Sequence, residues 1–252
     1  MKALYDFYPK LNDTASATFT YAGNSPAYFT KDNLFRKEPV RSFKSANTNA
    51  MTITMDIKSV EEIDTVFLNR INFSEYTIQY STNNSTWNTF ASVSGLKKDE
   101  IAEEEYIHNI SVINTPVQAR YIRISIPANK ALFETSYYKI GNFFVGKSVD
   151  ILDPKSGFQV RYIPTMNITT FKSGYIETEK LGRTRRSFTG DFDKLNTDVL
   201  AKFKLTYVPF VIYFTHTGKS TDAYFVMNTS EMTQNYDFAT VKSMNFTLEE
   251  IV

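Results

Sequence analysis

Two stretches of alternating residues restrict this chain more than any other feature. In Glu75–Thr89, Tyr76, Ile78 and Tyr80 alternate with Thr77, Gln79 and Ser81, the period of a strand with one buried face. Asn83, Asn84 and Ser85 follow, residue types that turn a chain through local side-chain hydrogen bonds, and the only tryptophan, Trp87, comes directly after. That order reads as a hairpin capped by an indole. In Ala119–Ile126, Ile122, Ile124 and Ile126 alternate with Tyr121, Arg123 and Ser125, so one face is wholly aliphatic and the other carries polar heads. Such faces must be covered by a partner sheet.

The two stretches resemble the discoidin family, also called coagulation factor 5/8 type C domains. Its pattern has a tyrosine–isoleucine–tyrosine–serine strand, a turn and a tryptophan, then alanine-arginine-tyrosine-isoleucine-arginine and an aliphatic strand. Both halves stand here, at Tyr76–Trp87 and Ala119–Ile126. Upstream, Asn33-Leu-Phe with Val40–Ser45 is similar to the family's asparagine-leucine segment, and Met51–Ile57 to its first long strand. The resemblance covers residues 1–147 and implies a galactose-binding-like jelly-roll. It leaves the ligand open, because members bind sugars, lipid headgroups and proteins with different loops on one scaffold.

Composition narrows the function classes. Twenty-eight basic and 27 acidic side chains leave a net charge of +1, so no overall field favours nucleic acid or a membrane surface, and neither partner is expected. The absence of cysteine removes disulfides, thiolate catalysis and thiolate metal sites. The N-terminus, Met1–Pro9, lacks the apolar core of a signal peptide, and no run reaches the length of a membrane span. The product is therefore expected to be made and left in the cytoplasm, or released by lysis. Asn-x-Ser/Thr triplets at Asn84, Asn109, Asn167 and Asn228 then read as by-products of an Asn- and Thr-rich composition.

From Ala15 to Phe43, aromatics are scattered among polar residues around Gly23, Pro26 and Pro39, the pattern of loops joining short strands. In the resembled family, loops at one barrel end carry exposed aromatic and basic ligand contacts. Tyr28, Phe29, Arg36 and Arg41 are the matching candidates here, against the plainer reading that the aromatics close the barrel end as core. Some family lectins hold calcium near this loop, but Asn33–Glu38 offers Arg36 and Lys37 where an acidic residue would help, so no metal is expected. The charged run Lys97–Glu105 reads as a solvated loop, and His108 and His216 stand in no triad or metal spacing. No cofactor and no catalytic residue are expected.

Lys139–Gly146 matches the family's last barrel strand, and Ser148–Gly157 reads as a connector. The expected organisation is a jelly-roll domain at 1–147, a linker at 148–157 and an assembly domain at 158–252. In the last, strand candidates at Ile168–Phe171, Tyr175–Ile176, Pro209–Phe214, Ala223–Met227 and Ser243–Ile251 flank a helical pattern, Leu195, Val199, Leu200 and Phe203, with Asp191 or Asp193 as N-cap. That order predicts a small α+β domain with an antiparallel sheet and one helix, within a mainly β chain.

The order of cues in the second part is also similar to minor tail and baseplate proteins of long-tailed bacteriophages. Those cues are an arginine-rich strand into Phe188-Thr-Gly190, the helix, Pro209-Phe210 opening a strand, and a terminal Glu-rich strand. Arg183, Arg185 and Arg186 alternate without an aromatic stacking platform, which favours salt bridges to a neighbouring subunit over phosphate or nucleic acid. Two functions follow from the combined resemblance. One is a non-catalytic virion tail component, homo-oligomeric, with a jelly-roll that contacts a cell-surface glycan. The other is a free lectin or the targeting module of a glycan-processing protein.

Overall fold

The computed structural model describes residues 1–38, 41–97, 106–133, 135–151, 159–163, 166–170, 176–180, 185–193, 208–229, 233–237 and 240–251. Their regular elements are almost all β-strands, paired antiparallel, with short 3-10 turns at Lys31–Phe35 and Thr215–Thr217. The chain forms two compact units, one of Lys2–Asp150 with Val211–Tyr224 and one of Met1, Ile151–Phe210 and Phe225–Val252.

The first unit holds β1 (Lys2–Leu4), β2 (Phe7–Tyr8), β3 (Thr18–Tyr21), β4 (Phe43–Lys44), β5 (Met51–Ile71), β6 (Tyr76–Ser81), β7 (Asn88–Val93), β8 (Ile107–Ile126), β9 (Lys139–Ile140), β10 (Asn142–Gly146) and β11 (Val149–Asp150). Strands β5 and β8 are long because each serves two layers. The early half of β5 and the late half of β8 lie in a sheet ordered β3-β5-β8-β6-β7; their other halves join β10 and β2. Register shifts between Asp56 and Glu61, Ile63 and Thr65, and Leu68 and Ile71 allow the change, because a bulge bends its strand. The result is a jelly-roll sandwich.

Its core explains the alternation in the sequence. Ile122, Ile124 and Ile126 are buried, opposite Met55, Ile53 and Met51, with Ile78 across the other edge. Each such side chain contributes about 1.5–3 kcal/mol when removed from water. Phe143 and Val145 of β10 close the core from the second layer, and β10 returns beside β2 through Val145 and Tyr8. The hairpin turn forms as expected: Ser81 Oγ accepts the backbone N–H groups of Asn83 and Asn84, and Asn83 Oδ1 accepts those of Ser85 and Thr86.

The segment Val211–Tyr224 belongs to this unit because its backbone pairs there. Lys2–Leu4 lies antiparallel to Val211–Tyr213, and the Ser220 carbonyl accepts the Ile110 N–H. Within the stretch read as a connector, Val149–Asp150 is the short strand β11, laddered to Lys2 and Ala3.

The second unit contributes β12 (Gln159–Ile163), β13 (Met166–Thr170), β14 (Ile176–Lys180) and β15 (Arg185–Asp193). Beyond these come β16 (Pro209–Tyr213) and β17 (Ala223–Asn228), shared in sequence with the first unit, and β18 (Thr233–Asp237) and β19 (Thr240–Glu250). Strand β19 pairs with β15, β17 and β18, and β15 pairs with β12. One expectation needs correction: Asp191 and Asp193 are ladder residues of β15, opposite Asn245 and Ser243, because the strand runs on past Gly190. The helical pattern Leu195–Phe203 lies outside the described residues.

Candidate functional site

The loop that follows β3 carries an exposed tyrosine in a conformation that side chains seldom adopt. Tyr28 has φ 70°, in the left-handed region, and its ring is 91% exposed. Asn33 holds the loop there: its Nδ2 donates to the Tyr28 carbonyl at 2.6 Å and to the Ser42 carbonyl at 3.1 Å. Beneath the loop, Leu34 and Phe35 of the 3-10 turn are buried, so the turn is anchored in the core while Tyr28 stays in solvent. The exposed ring on a left-handed backbone position makes this loop the place to test for ligand contact.

Beside Tyr28, Phe29 is half-buried, and its carbonyl accepts the Lys44 N–H at 2.9 Å. The Lys44 ammonium lies 4.0 Å from the centroid of Phe29 and 4.6 Å from that of Tyr137, so two rings flank one cation. Lys44 and Tyr137 escaped the sequence reading. The available signal was the approach of the Pro127–Tyr138 loop to the segment before β5, which only tertiary pairing reveals: Ser45 N–H donates to the Tyr138 carbonyl.

Arg36 and Arg41 are both exposed. The Arg36 carbonyl accepts from Asn142 Nδ2 at 2.8 Å, which ties the end of the loop to β10. Arg41 donates its backbone N–H to Glu38. The structure thus brings Phe29, next in sequence to Tyr28, together with Lys44 and Tyr137, and leaves Arg36 and Arg41 exposed. The loop carboxylates Asp32 and Glu38 are solvent-exposed, without the dry setting that general acid–base chemistry uses.

The other sequence candidates lie elsewhere. Arg186 is buried and ion-paired with Glu250, and Arg185 reaches Glu249 at 3.2 Å; both partners stand on β19 of the same chain. Arg183 and most of the charged run, residues 98–105, lie outside the described residues. His108 is buried against Phe67, Tyr106 and Tyr224, and His216 falls in the second 3-10 turn. Asn109 and Asn228 are buried, which closes those two triplets to glycosylation. Among the described residues no group of three or more His, Asp or Glu could hold a metal ion.

The family model described as F5/8 type C domain matches residues 13–141, just over half of the chain. The chain belongs to that family. The match spans the Tyr28 loop, both long strands and Tyr137. Among solved structures, CBM32-3 from a family 31 glycoside hydrolase of Clostridium perfringens is similar at 20% identity over 54% of this chain and 94% of that chain, with TM-score 0.44. Chitosan-binding module 1 from a chitosanase/glucanase of Paenibacillus sp. IK-5 is similar at 19% identity over 52% of this chain and 96% of that chain, with TM-score 0.43. No curated protein sequence matches the chain.

Proposed function

We propose that this chain is a non-catalytic structural component of a bacteriophage tail whose F5/8 type C unit contacts a host-surface glycan. The observation that carries the binding half is the Tyr28 ring, 91% exposed and pinned by Asn33 beside the Phe29–Lys44–Tyr137 cluster. An exposed ring stacks on the C–H face of a sugar, and neighbouring cations and amides supply directional hydrogen bonds. Arg36 and Arg41, both exposed, are the further contacts of this reading.

The tail half rests on the order of cues in residues 158–252, now occupied by β15, β16 and β19. In this reading the second unit docks to neighbouring virion subunits, with Arg185 as one contact, and the particle is assembled in the host cytoplasm.

Mass spectrometry of purified phage particles together with the solution mass of the protein tests the tail role. A fixed copy number in particles supports it. A stable monomer found in no particle overturns it and leaves a free lectin or the targeting module of a glycan-processing protein. Glycan-array binding by wild type and by Tyr28→Ala tests the contact surface.

A further inference from the structure

Strand β12 is the last of its sheet: it pairs with β15 and, among the described residues, with no other strand. The ladder runs from Gln159–Thr189 to Ile163–Arg185 without a register shift, so the outer edge is regular and its outward N–H and C=O groups are open to a further strand. The side chains do not blunt this edge. Val160 is 42% exposed and Tyr162 60%, and alternation puts both on one face. On the other face Arg161 is exposed, and its Nη2 donates to Gln159 Oε1 at 3.1 Å.

Between β12 and β15 the chain forms the ribbon β13–β14, paired from Met166–Lys180 to Thr170–Ile176 and, among the described residues, joined to no third strand. Two strands alone are marginally stable in water, and a third is what such a ribbon requires. Strand β14 has five residues, as β12 has, and it includes Glu177 and Glu179.

Laid antiparallel, β12 and β14 match in one register. Arg161 falls opposite Glu177, Gln159 opposite Glu179, Tyr162 opposite Ile176 and Val160 opposite Thr178. The charged and amide residues share one face, and the aromatic and β-branched residues share the other, combinations that stabilise antiparallel pairs. Two copies of β12 paired about a two-fold axis, with Val160 against Tyr162, would instead set Arg161 against Arg161, which is repulsive. Within one chain the connection delivers a different strand. Only two residues separate Ile163 from Met166, so folding back onto the free edge of β12 would bring β13, which is already paired to β14.

We infer that β12 of one copy of this chain takes up β14 of a second copy, which continues the sheet by strand addition. The contact is head to tail: each copy offers one β12 edge and one β14 edge, and repetition builds a ring or a filament of identical subunits. This inference rests on the docking role proposed for the second unit and names its partner. It is read on the purified protein, so its failure leaves presence in particles and glycan binding to their own tests.

Sedimentation velocity of the full chain over a range of concentrations tests it, with charge-reversed variants beside the wild type. The wild type should associate into species larger than a dimer. Arg161→Glu and Glu177→Arg, each with an unchanged melt, should weaken association by at least about tenfold. An equimolar mixture of the two should recover it, because each variant supplies the charge that the other lacks. Since the chain has no cysteine, introduced thiols give a reading that does not depend on charge. Opposed residues of an antiparallel pair lie about 4.5–5.5 Å apart at Cα, within disulfide reach. Oxidation of Arg161→Cys mixed with Glu177→Cys should therefore yield a linked dimer, and neither variant alone should; if a charge reversal lowers the melt, this pair decides alone. A wild type that is monomeric at every concentration, charge reversals without effect, a mixture that fails to recover association, or linked dimers from Arg161→Cys alone would overturn the β12–β14 contact.

Discussion

Arg186 and Glu250 form a buried ion pair across β15 and β19: Nη1 lies 3.2 Å from Oε1, and the backbone N–H of Arg186 donates to Oε2 at 3.1 Å. The arginine that the sequence offered as a contact for another subunit thus has a carboxylate partner in its own sheet. Removing one member of such a pair leaves the other buried and uncompensated, which costs about 3–5 kcal/mol. Glu250→Ala should therefore lower the denaturation midpoint of the full chain by a corresponding amount, and Arg185→Ala, whose pair with Glu249 is more exposed, by less than about 1 kcal/mol. Equal effects of the two substitutions in urea unfolding would contradict this.

A second buried contact sets an alkaline limit. The Tyr76 hydroxyl, fully buried, donates to Asn109 Oδ1 at 2.6 Å, and Asn109 Nδ2 donates to Ser220 Oγ, which fastens the Val211–Tyr224 segment. Burial pushes the Tyr76 phenol well above its ordinary value, and does the same to Tyr5. A folded pKa above the unfolded one means stability that is complete below about pH 10 and is lost as pH rises beyond it. Tyr76→Phe should cost about 1–3 kcal/mol at neutral pH, since Asn109 Oδ1 loses its donor, and should flatten the alkaline decline. Melting temperatures between neutral pH and the alkaline range check both parts.

At low pH the sign reverses. Asp56 accepts a fork from Arg120, Nε to Oδ1 at 2.9 Å and Nη2 to Oδ2 at 3.1 Å, and this hydrogen bonding holds its carboxyl below the usual carboxylate range. The contribution is present above the unfolded carboxylate value and disappears as pH falls through the lower folded one. The pair is open to solvent, so Asp56→Asn should cost less than about 1 kcal/mol, and the cost should shrink further in high salt. A salt-independent loss of several kcal/mol would contradict this.

How much of this was legible beforehand depended on whether a residue's environment is one-sided. Tyr76–Gln79 and Tyr121–Ile126 each bury one face, so period-2 alternation reported them, whereas beyond the irregularity at Ile78 and Gln79 Ser81 is buried and Tyr80 only half-buried. Ile63–Ile71 is buried along its whole length, where alternation has nothing to report, and the sharing of β5 between two layers was hidden for that reason. At the site, Asn33 was visible as a motif residue, but its role, two carbonyls held by one amide, needed the fold. Lys44 and Tyr137 meet only because the segments before β5 and before β9 pair, and Glu250 finds Arg186 only through the β15–β19 ladder.

Close approach at Gly146 gives a further test. A Cβ there would lie 2.5 Å from the Asp6 carbonyl oxygen and 2.9 Å from Leu4 Cδ1, inside contact distance of a backbone atom that cannot rotate away. Gly146 pairs with Phe7 and Thr65, so relief would require β2 to leave β10. Gly146→Ala should destabilise by about 1–3 kcal/mol. An unchanged thermal midpoint would show that β1 and β2 yield freely.

The aromatic surface makes the opposite forecast, in which stability and binding separate. Tyr28 is 91% exposed, so Tyr28→Ala removes little packing and should change stability by no more than about 0.5 kcal/mol. Tyr28→Gly, freed from the side-chain cost of φ 70°, should leave the fold equally stable or slightly more so. Both should abolish glycan binding at the loop. Asn33→Ala keeps the ring but releases the two carbonyls it holds, so it should weaken binding through a less ordered loop, with Asn33→Asp restoring none of it because a carboxylate cannot donate to Tyr28 and Ser42. Affinity measured beside melting temperature for the four variants decides the matter. Retained binding in both Tyr28 variants would remove the loop from the recognition surface, and a collapse of stability in Tyr28→Ala would mark the ring as packing after all.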